Sequence, residues 1–234
     1  MITCIIQARM GSIRLPGKIM EKIDGEKKVI DYVIEQLKSA KKIDKIIVAI
    51  PNLVKDDITY KYLTSKKIQT FRGSSTNVLD RYYQCAKKES ASIIVRITAD
   101  NPLIDPEIVD KVIIKFIEND FDYVANTHPR TFPYGTETEV FSFDALERAW
   151  KETDNEFDKE HVTPYFYKNQ VKFKIGNLEQ EKDLSKYSWT VDYQENLDFV
   201  KLIVKKIIKR PIITNNIIEL LIKNPEIFKI NKHH

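Results

Sequence analysis

The stretch TCIIQARMGSIRLPGK, residues 3–18, begins as an apolar run and ends as a loop of small and basic residues. A short apolar run closed by turn residues is the pattern of a strand buried on both faces. It returns at KIIVAI, residues 45–50, and at SIIVRI, residues 92–97. Between the first two, Val29, Ile30, Val33, Ile34 and Leu37 share one face at helical spacing, which predicts a helix over 29–41. A weaker helix follows at 56–66, a strand at 68–72, and a helix at 76–88 capped by Ser75 or Thr76. A helix at 106–119 has Pro106 in its first position, where the missing N–H costs nothing, and a strand follows at 122–125. This alternation predicts an α/β sheet covered by helices on both faces.

After residue 126 the pattern loosens. A polar loop at 126–135 leads to a strand at 137–142, a helix at 143–152, a helix at 158–168 with Pro164 inside it, and a half-exposed strand at 171–175. A short strand at 189–191 and helices at 194–208 and 214–223 complete the chain. The economical reading is one domain, residues 1–232, with a small inserted β/α region at about 126–187; His233-His234 reads as a tag remnant.

The chain has 234 residues, 42% hydrophobic and 31% charged, which excludes a disordered chain. Its length allows burial of about 70% of the surface the unfolded chain exposes, so no staples are needed. Cys4 and Cys85 both sit in apolar segments, as expected in a reducing cytoplasm. No apolar run approaches the ~20 residues of a membrane span, and no signal peptide is visible. The net charge is +4 and the basic residues are scattered, so neither a membrane nor a nucleic acid is an expected partner.

The chemistry concentrates at strand ends. Arg9, Gly11, Ser12, Arg14, Gly17 and Lys18 follow the first strand, where open α/β sheets bind ligands. Small residues let backbone N–H groups approach a ligand, and fixed cations complement phosphate. The spacing is not a Walker loop, since five residues separate Gly11 from Gly17 and Ile19 follows Lys18; no G-x-G occurs either. Asp100 follows the third apolar strand, and Asp192 stands between the predicted strand 189–191 and helix 194–208. Singly, these have plainer readings: a solvated basic turn, an Asp-Asn-Pro turn, and a helix cap with Glu195 three residues on. Together, two carboxylates and a basic loop can hold Mg²⁺ and a triphosphate.

IIQARMGSIRLPGK resembles the N-terminal signature of sugar cytidylyltransferases. FRGSSTNVLDRY, VRITADNPLIDP, YGTETEVFSFDALERA, EHVTPY and WTVDYQENLDFV resemble the SpsF-type branch, so the similarity runs from Ile5 to about Val200. The resemblance implies the nucleotide-diphospho-sugar transferase fold, a doubly wound, mainly parallel mixed sheet, often dimeric through an inserted hairpin region. It implies that CTP and an acidic sugar give CMP-sugar and pyrophosphate. On this family pattern Arg9, Gly11, Ser12, Arg14 and Lys18 bind the triphosphate, Thr98 falls where the nucleotide is contacted, and Asp100 and Asp192 ligate Mg²⁺. Lys18, Arg14 and Asp100 are then the catalytic set, with the Lys18 ammonium facing the β- and γ-phosphates. Gln7 stands where many members have proline.

For the sugar acceptor, the candidates are Asn126, His128, Arg130 and Tyr134 in the polar loop, with Glu137 and Glu139 beyond it. His161 is expected to pack rather than act as a base. Arg72 and Arg81 flank GSSTNVLD and could either approach the nucleotide or support a helix end. Phe132, Phe141, Phe166 and Phe173 exceed what a small insertion would bury alone, which predicts a homodimer. Three rivals remain: a guanylyl- or uridylyltransferase on a sugar phosphate, a glycosyltransferase, and a non-catalytic sugar-nucleotide-binding subunit. A glycosyltransferase would carry a D-x-D motif after a strand, which the chain does not, and a non-catalytic subunit would have lost a metal ligand.

Overall fold

The structure is a computed structural model that describes residues 1–231. His233 and His234 lie outside the described residues. The chain runs β1 (Ile2–Gln7), β2 (Lys22–Asp24), β3 (Lys27–Lys28), α1 (Val29–Leu37), β4 (Lys45–Pro51), α2 (Asp57–Ser65), β5 (Thr70–Gly73), α3 (Val78–Lys88), β6 (Ile93–Thr98) and α4 (Pro106–Glu118). It continues with β7 (Tyr123–Ala125), β8 (Glu139–Ser142), α5 (Phe143–Glu152), α6 (Glu156–His161), α7 (Pro164–Lys168), β9 (Ile175–Asn177), α8 (Gln194–Lys206), α9 (Thr214–Lys223) and α10 (Pro225–Ile230).

Seven strands form one sheet in the order β5-β4-β1-β6-β8-β7-β9, and β2 and β3 form a separate hairpin. β1, β4, β5 and β6 are parallel, β8 runs against both β6 and β7, and β7 pairs parallel with β9. The expected doubly wound, mainly parallel mixed sheet is therefore present. Register decides where the site falls. Gln7 lies opposite Ala49 on one side and Thr98 on the other, so β1, β4 and β6 end level. β8 runs the other way, with Glu139 opposite Arg96, so the loop entering β8 emerges at that same edge. The loops after β1 and β6 and the loop before β8 thus share one rim.

The strand pleat divides the core. On one face Cys4, Ile6, Val48, Val95 and Ile97 meet Ile30 and Val33 of α1 and Val109 and Val112 of α4. On the other, Ile5, Ile47, Ala49 and Ile94 meet Leu79 and Tyr82 of α3 and Ala145 and Leu146 of α5. A third cluster seats α8, α9 and α10 around Trp189, with Ile23 of the hairpin. Side chains such as Ile5 and Ile6 are fully buried, each contributing at most about 1.5–3 kcal/mol of transfer free energy. Among the described residues no helix is long and apolar enough to cross a membrane.

Several expected elements differ. The helix expected at 158–168 breaks into α6 and α7 at Val162, whose φ is 72°, and Pro164 opens α7. Proline lacks the N–H and disfavours a helical predecessor, so it begins a helix rather than continuing one. The strand expected at 171–175 starts only at Ile175, and Val171 is exposed. Residues 189–191 join no ladder, the nearest pairing being a single bridge between Tyr134 and Ser188. The α3 cap is Asn77, whose side chain accepts the Asp80 N–H at 2.8 Å. The β2–β3 hairpin and α10 escaped the sequence reading. Residues 126–187 supply β8, β9 and three helices, α5 to α7, to the structure. Phe132, Phe141, Phe166 and Phe173 are all buried within the one chain, so they leave no apolar surplus demanding a partner.

Candidate active site

The loop after β1 is folded tightly before any side chain is considered. The Met10 carbonyl accepts both the Ser12 N–H at 3.0 Å and the Gly17 N–H at 3.2 Å. Gly17 has φ 71°, a left-handed conformation that costs glycine little, and it leads into a single 3₁₀ turn over Lys18–Met20. Asp56, fully buried, accepts the Met10 N–H at 2.8 Å and pins the loop from below. That role is invisible in the sequence, because a carboxylate on a backbone amide leaves no motif.

This turn delivers Lys18 inward. Its ammonium donates to Asp100 Oδ2 at 2.7 Å and to Asp192 Oδ1 at 2.8 Å, and its side chain is 10% exposed. Arg14 pairs with Asp192 at 2.7 Å and lies over the Tyr193 ring. Four residues from three distant segments therefore meet. The Val191 N–H donates to the Asp100 carbonyl at 2.8 Å, which joins the two aspartate segments directly. Asp192 is not the cap of α8; the Asn196 side chain accepts the Asp192 and Tyr193 N–H groups instead. Its carboxylate is free for the site.

Lys18 does not stand apart from the carboxylates, as an ammonium reserved for terminal phosphates would. Asp100 and Asp192 are the opposite charges it meets. The arrangement also tests the donor set for Mg²⁺. Two carboxylate oxygens already converge on one cation at 2.7 and 2.8 Å. Mg²⁺ takes one or two carboxylates and completes its shell with water and phosphate oxygens, so the pair suits it. Among the described residues no cluster of three or more histidine, cysteine or acidic side chains offers a closed cage.

Two cavities meet here. The smaller, about 460 Å³, is lined by Arg9, Ser12, Arg14, Lys18, Thr98 and Asp100. The larger, about 960 Å³, shares Arg14, Thr98 and Asp100 and extends past His128, Arg130, Tyr134, Glu137 and Glu139. Gly11 lines neither, although a side chain there would meet the Lys55 ammonium at 2.9 Å. Arg9 is half exposed and 3.7 Å from Glu160.

On the acceptor side, Asn126 is misassigned by its place in the loop. It is buried, donates to the Thr136 carbonyl at 2.9 Å and accepts the Thr138 N–H at 3.0 Å, so it holds the loop and lines neither cavity. Glu139 lines the larger cavity but is engaged by Arg96 and by the Tyr123 hydroxyl. Burial pushes its carboxyl up, but the Arg96 charge and donated hydrogen bonds outweigh that, so it sits below the usual range. Glu137 goes the other way: burial raises it despite Arg130 and the Gly135 N–H. Arg81 is fully buried, with Nη1 on the Ser74 carbonyl and Nε and Nη2 without partners. Arg72 is held by Asp57 at 2.6 Å. His161 faces the Phe157 ring outside both cavities. The triplet Asp120-Phe121-Asp122 precedes β7, and Asp122 accepts the Lys174 N–H.

What such a rim can gather is a polyphosphate, on one side, and a nucleophile on the other; the class is that of the nucleotidyltransferases. Comparison with known proteins narrows it. The sequence matches the cytidylyltransferase family over residues 3–224. It is 38% identical to an uncharacterized protein of Methanocaldococcus jannaschii, covering 98% of this chain and 93% of that one. It is 30% identical to the spore coat polysaccharide biosynthesis protein SpsF of Bacillus subtilis, covering 96% and 95%. The 3-deoxy-manno-octulosonate cytidylyltransferase of Trichlorobacter lovleyi is 35% identical over 50% of this chain and 46% of its own. A solved cytidylyltransferase from Leptospira borgpetersenii superposes with a TM-score of 0.92 at 33% identity, covering 97% and 96%. The chain belongs to the cytidylyltransferase family.

Proposed function

We propose that the protein uses CTP and Mg²⁺ to activate an acidic sugar, releasing pyrophosphate and a CMP-sugar for surface glycan synthesis. The observation that carries the reading is the cation-bridged pair Asp100 and Asp192 at the junction of two cavities. The smaller cavity, with Arg9, Ser12, Arg14 and Lys18, takes the triphosphate; the larger takes the sugar. Thr98, lining both, borders the nucleotide. The similarity to a 3-deoxy-manno-octulosonate cytidylyltransferase supports an acidic acceptor. A cytoplasmic setting agrees with two unpaired cysteines, Cys4 and Cys85.

The acceptor hydroxyl attacks the α-phosphorus in line. Its oxygen forms the new P–O bond as the bond to pyrophosphate breaks, and the hydroxyl proton passes to solvent. Asp100 and Asp192 would hold Mg²⁺, which when bound neutralises phosphate charge. Lys18 exchanges its carboxylates for phosphate oxygens when the triphosphate enters, and Arg14 stabilises the leaving pyrophosphate. No covalent enzyme intermediate is required.

The test is pyrophosphate release with each of the four nucleoside triphosphates against a panel of ulosonic acids and sugar phosphates. CTP with an ulosonic acid is the expected productive pair. Turnover only with GTP or UTP and a sugar phosphate would replace this reading with its rival.

A further inference from the structure

The larger cavity contains three arginines, and only one offers an open planar edge away from the paired aspartates. Arg14 is joined to Asp192 and stacked on Tyr193. Arg96 is mostly buried and divided between Glu139 and Gln7. Arg130 donates from Nη1 to Glu137 at 2.7 Å, and its guanidinium lies 3.9 Å over the Tyr134 ring. Its Nε and Nη2 have no acceptor among the described residues, and its side chain is 19% exposed within the cavity wall. Nε and Nη2 form the edge that grips a carboxylate with two parallel hydrogen bonds.

Glu137 does not simply cancel that charge. Its oxygens also accept the Gly135 N–H at 2.8 Å and the Asn101 Nδ2 at 3.1 Å, so it is a bracket shared among three donors. Asn101 follows Asp100 in the chain, which ties the bracket to the carboxylate at the junction of the cavities. In a 2-ulosonic acid the carboxylate and the attacking hydroxyl are on the same carbon. Its partner must therefore stand beside the α-phosphorus site, and Arg130 is connected to it through Glu137 and Asn101.

We propose that Arg130 binds the carboxylate of the acceptor, held in place by Glu137 and Tyr134, and selects acidic sugars over neutral ones. This rests on the reading above of an acidic acceptor. It assigns Arg130 a specificity role distinct from the phosphate-binding cations.

The experiment compares an ulosonic acid with its primary carboxamide in wild type, Arg130→Ala and Arg130→Lys, with thermal midpoints measured alongside. Wild type should favour the acid. Arg130→Ala should raise KM for the acid by about tenfold to a hundredfold, the scale of a charge-assisted pair. It should leave KM for CTP unchanged and weaken use of the carboxamide far less than use of the acid, so acid and amide converge. Arg130→Lys should restore part of the preference, and it decides the matter if the alanine variant does not fold. An acid-to-amide ratio that survives in these variants overturns the assignment to Arg130 while the functional reading stands. If wild type turns over no ulosonic acid with any nucleotide, the functional reading falls and this inference with it.

Discussion

Lys18, Asp100 and Asp192 show what a single side chain contributes when its neighbours are fixed. Asp100→Asn or Asp192→Asn keeps shape and removes the charge that, on the proposed function, would hold Mg²⁺. Each should cut turnover by on the order of 10²–10³ with the fold retained, read by pyrophosphate release. Normal turnover in Asp192→Asn would remove it from the site. Lys18→Ala leaves two carboxylates, each 24% exposed, without the cation that joins them. It should cost about 1–3 kcal/mol in thermal denaturation without metal, and added Mg²⁺ should recover part of the loss. These three residues were legible because each follows a strongly apolar segment at a strand end or loop where ligands gather. Asp56 and Asn196 were not, because both work by accepting backbone N–H groups. Asn126 was misread because loop position does not tell whether a side chain faces the cavity or the backbone beneath it.

The Arg96–Glu139 ion pair crosses the ladder between β6 and β8. Glu139 is held below the usual carboxylate range in the fold, so between that value and about pH 4.5 the unfolded chain binds more protons. Its stabilisation is present at neutral pH and lost as pH falls through the folded value. Urea midpoints of wild type and Glu139→Gln should differ clearly near neutrality and converge in acid. A constant difference would mean that shape, not charge, joins the strands. Gly135 governs the loop entering β8. Its φ is 98°, and a Cβ there would approach Trp189 at 2.5 Å. Gly135→Ala should destabilise by about 1–3 kcal/mol by thermal melting, with a rise in KM for the acceptor rather than for CTP. The buried strands could be read from sequence because apolar runs bounded by turns have few alternatives. The β2–β3 hairpin was invisible because Lys22–Asp24 and Lys27–Lys28 carry mostly charged residues and pair through backbone alone. The α6–α7 break was misread because apolar spacing continues across Pro164 while the backbone cannot.

At the scale of the molecule, the α/β architecture followed from repeated strand-helix alternation, and its face assignment from alternate residues of β1. What sequence did not reveal was that β8 and β9 extend the same sheet, since β8 also reaches back past β7 to β6 and β9 pairs with β7 across three intervening helices. The central place of β1 has a consequence in the order of synthesis. Its neighbours are residues 45–51 and 93–98, so neither edge can be satisfied locally. At about 5–20 residues per second, the ribosome takes roughly 5–20 s between completing β1 and supplying β6. Refolding from urea should fall in the millisecond-to-second range of non-local sheets, followed by tryptophan fluorescence. The segment that carries the Lys18 loop is made before both of its neighbours and waits for them, so a nascent chain stalled before residue 93 presents an apolar strand with one unpaired edge to whatever else the cell has made.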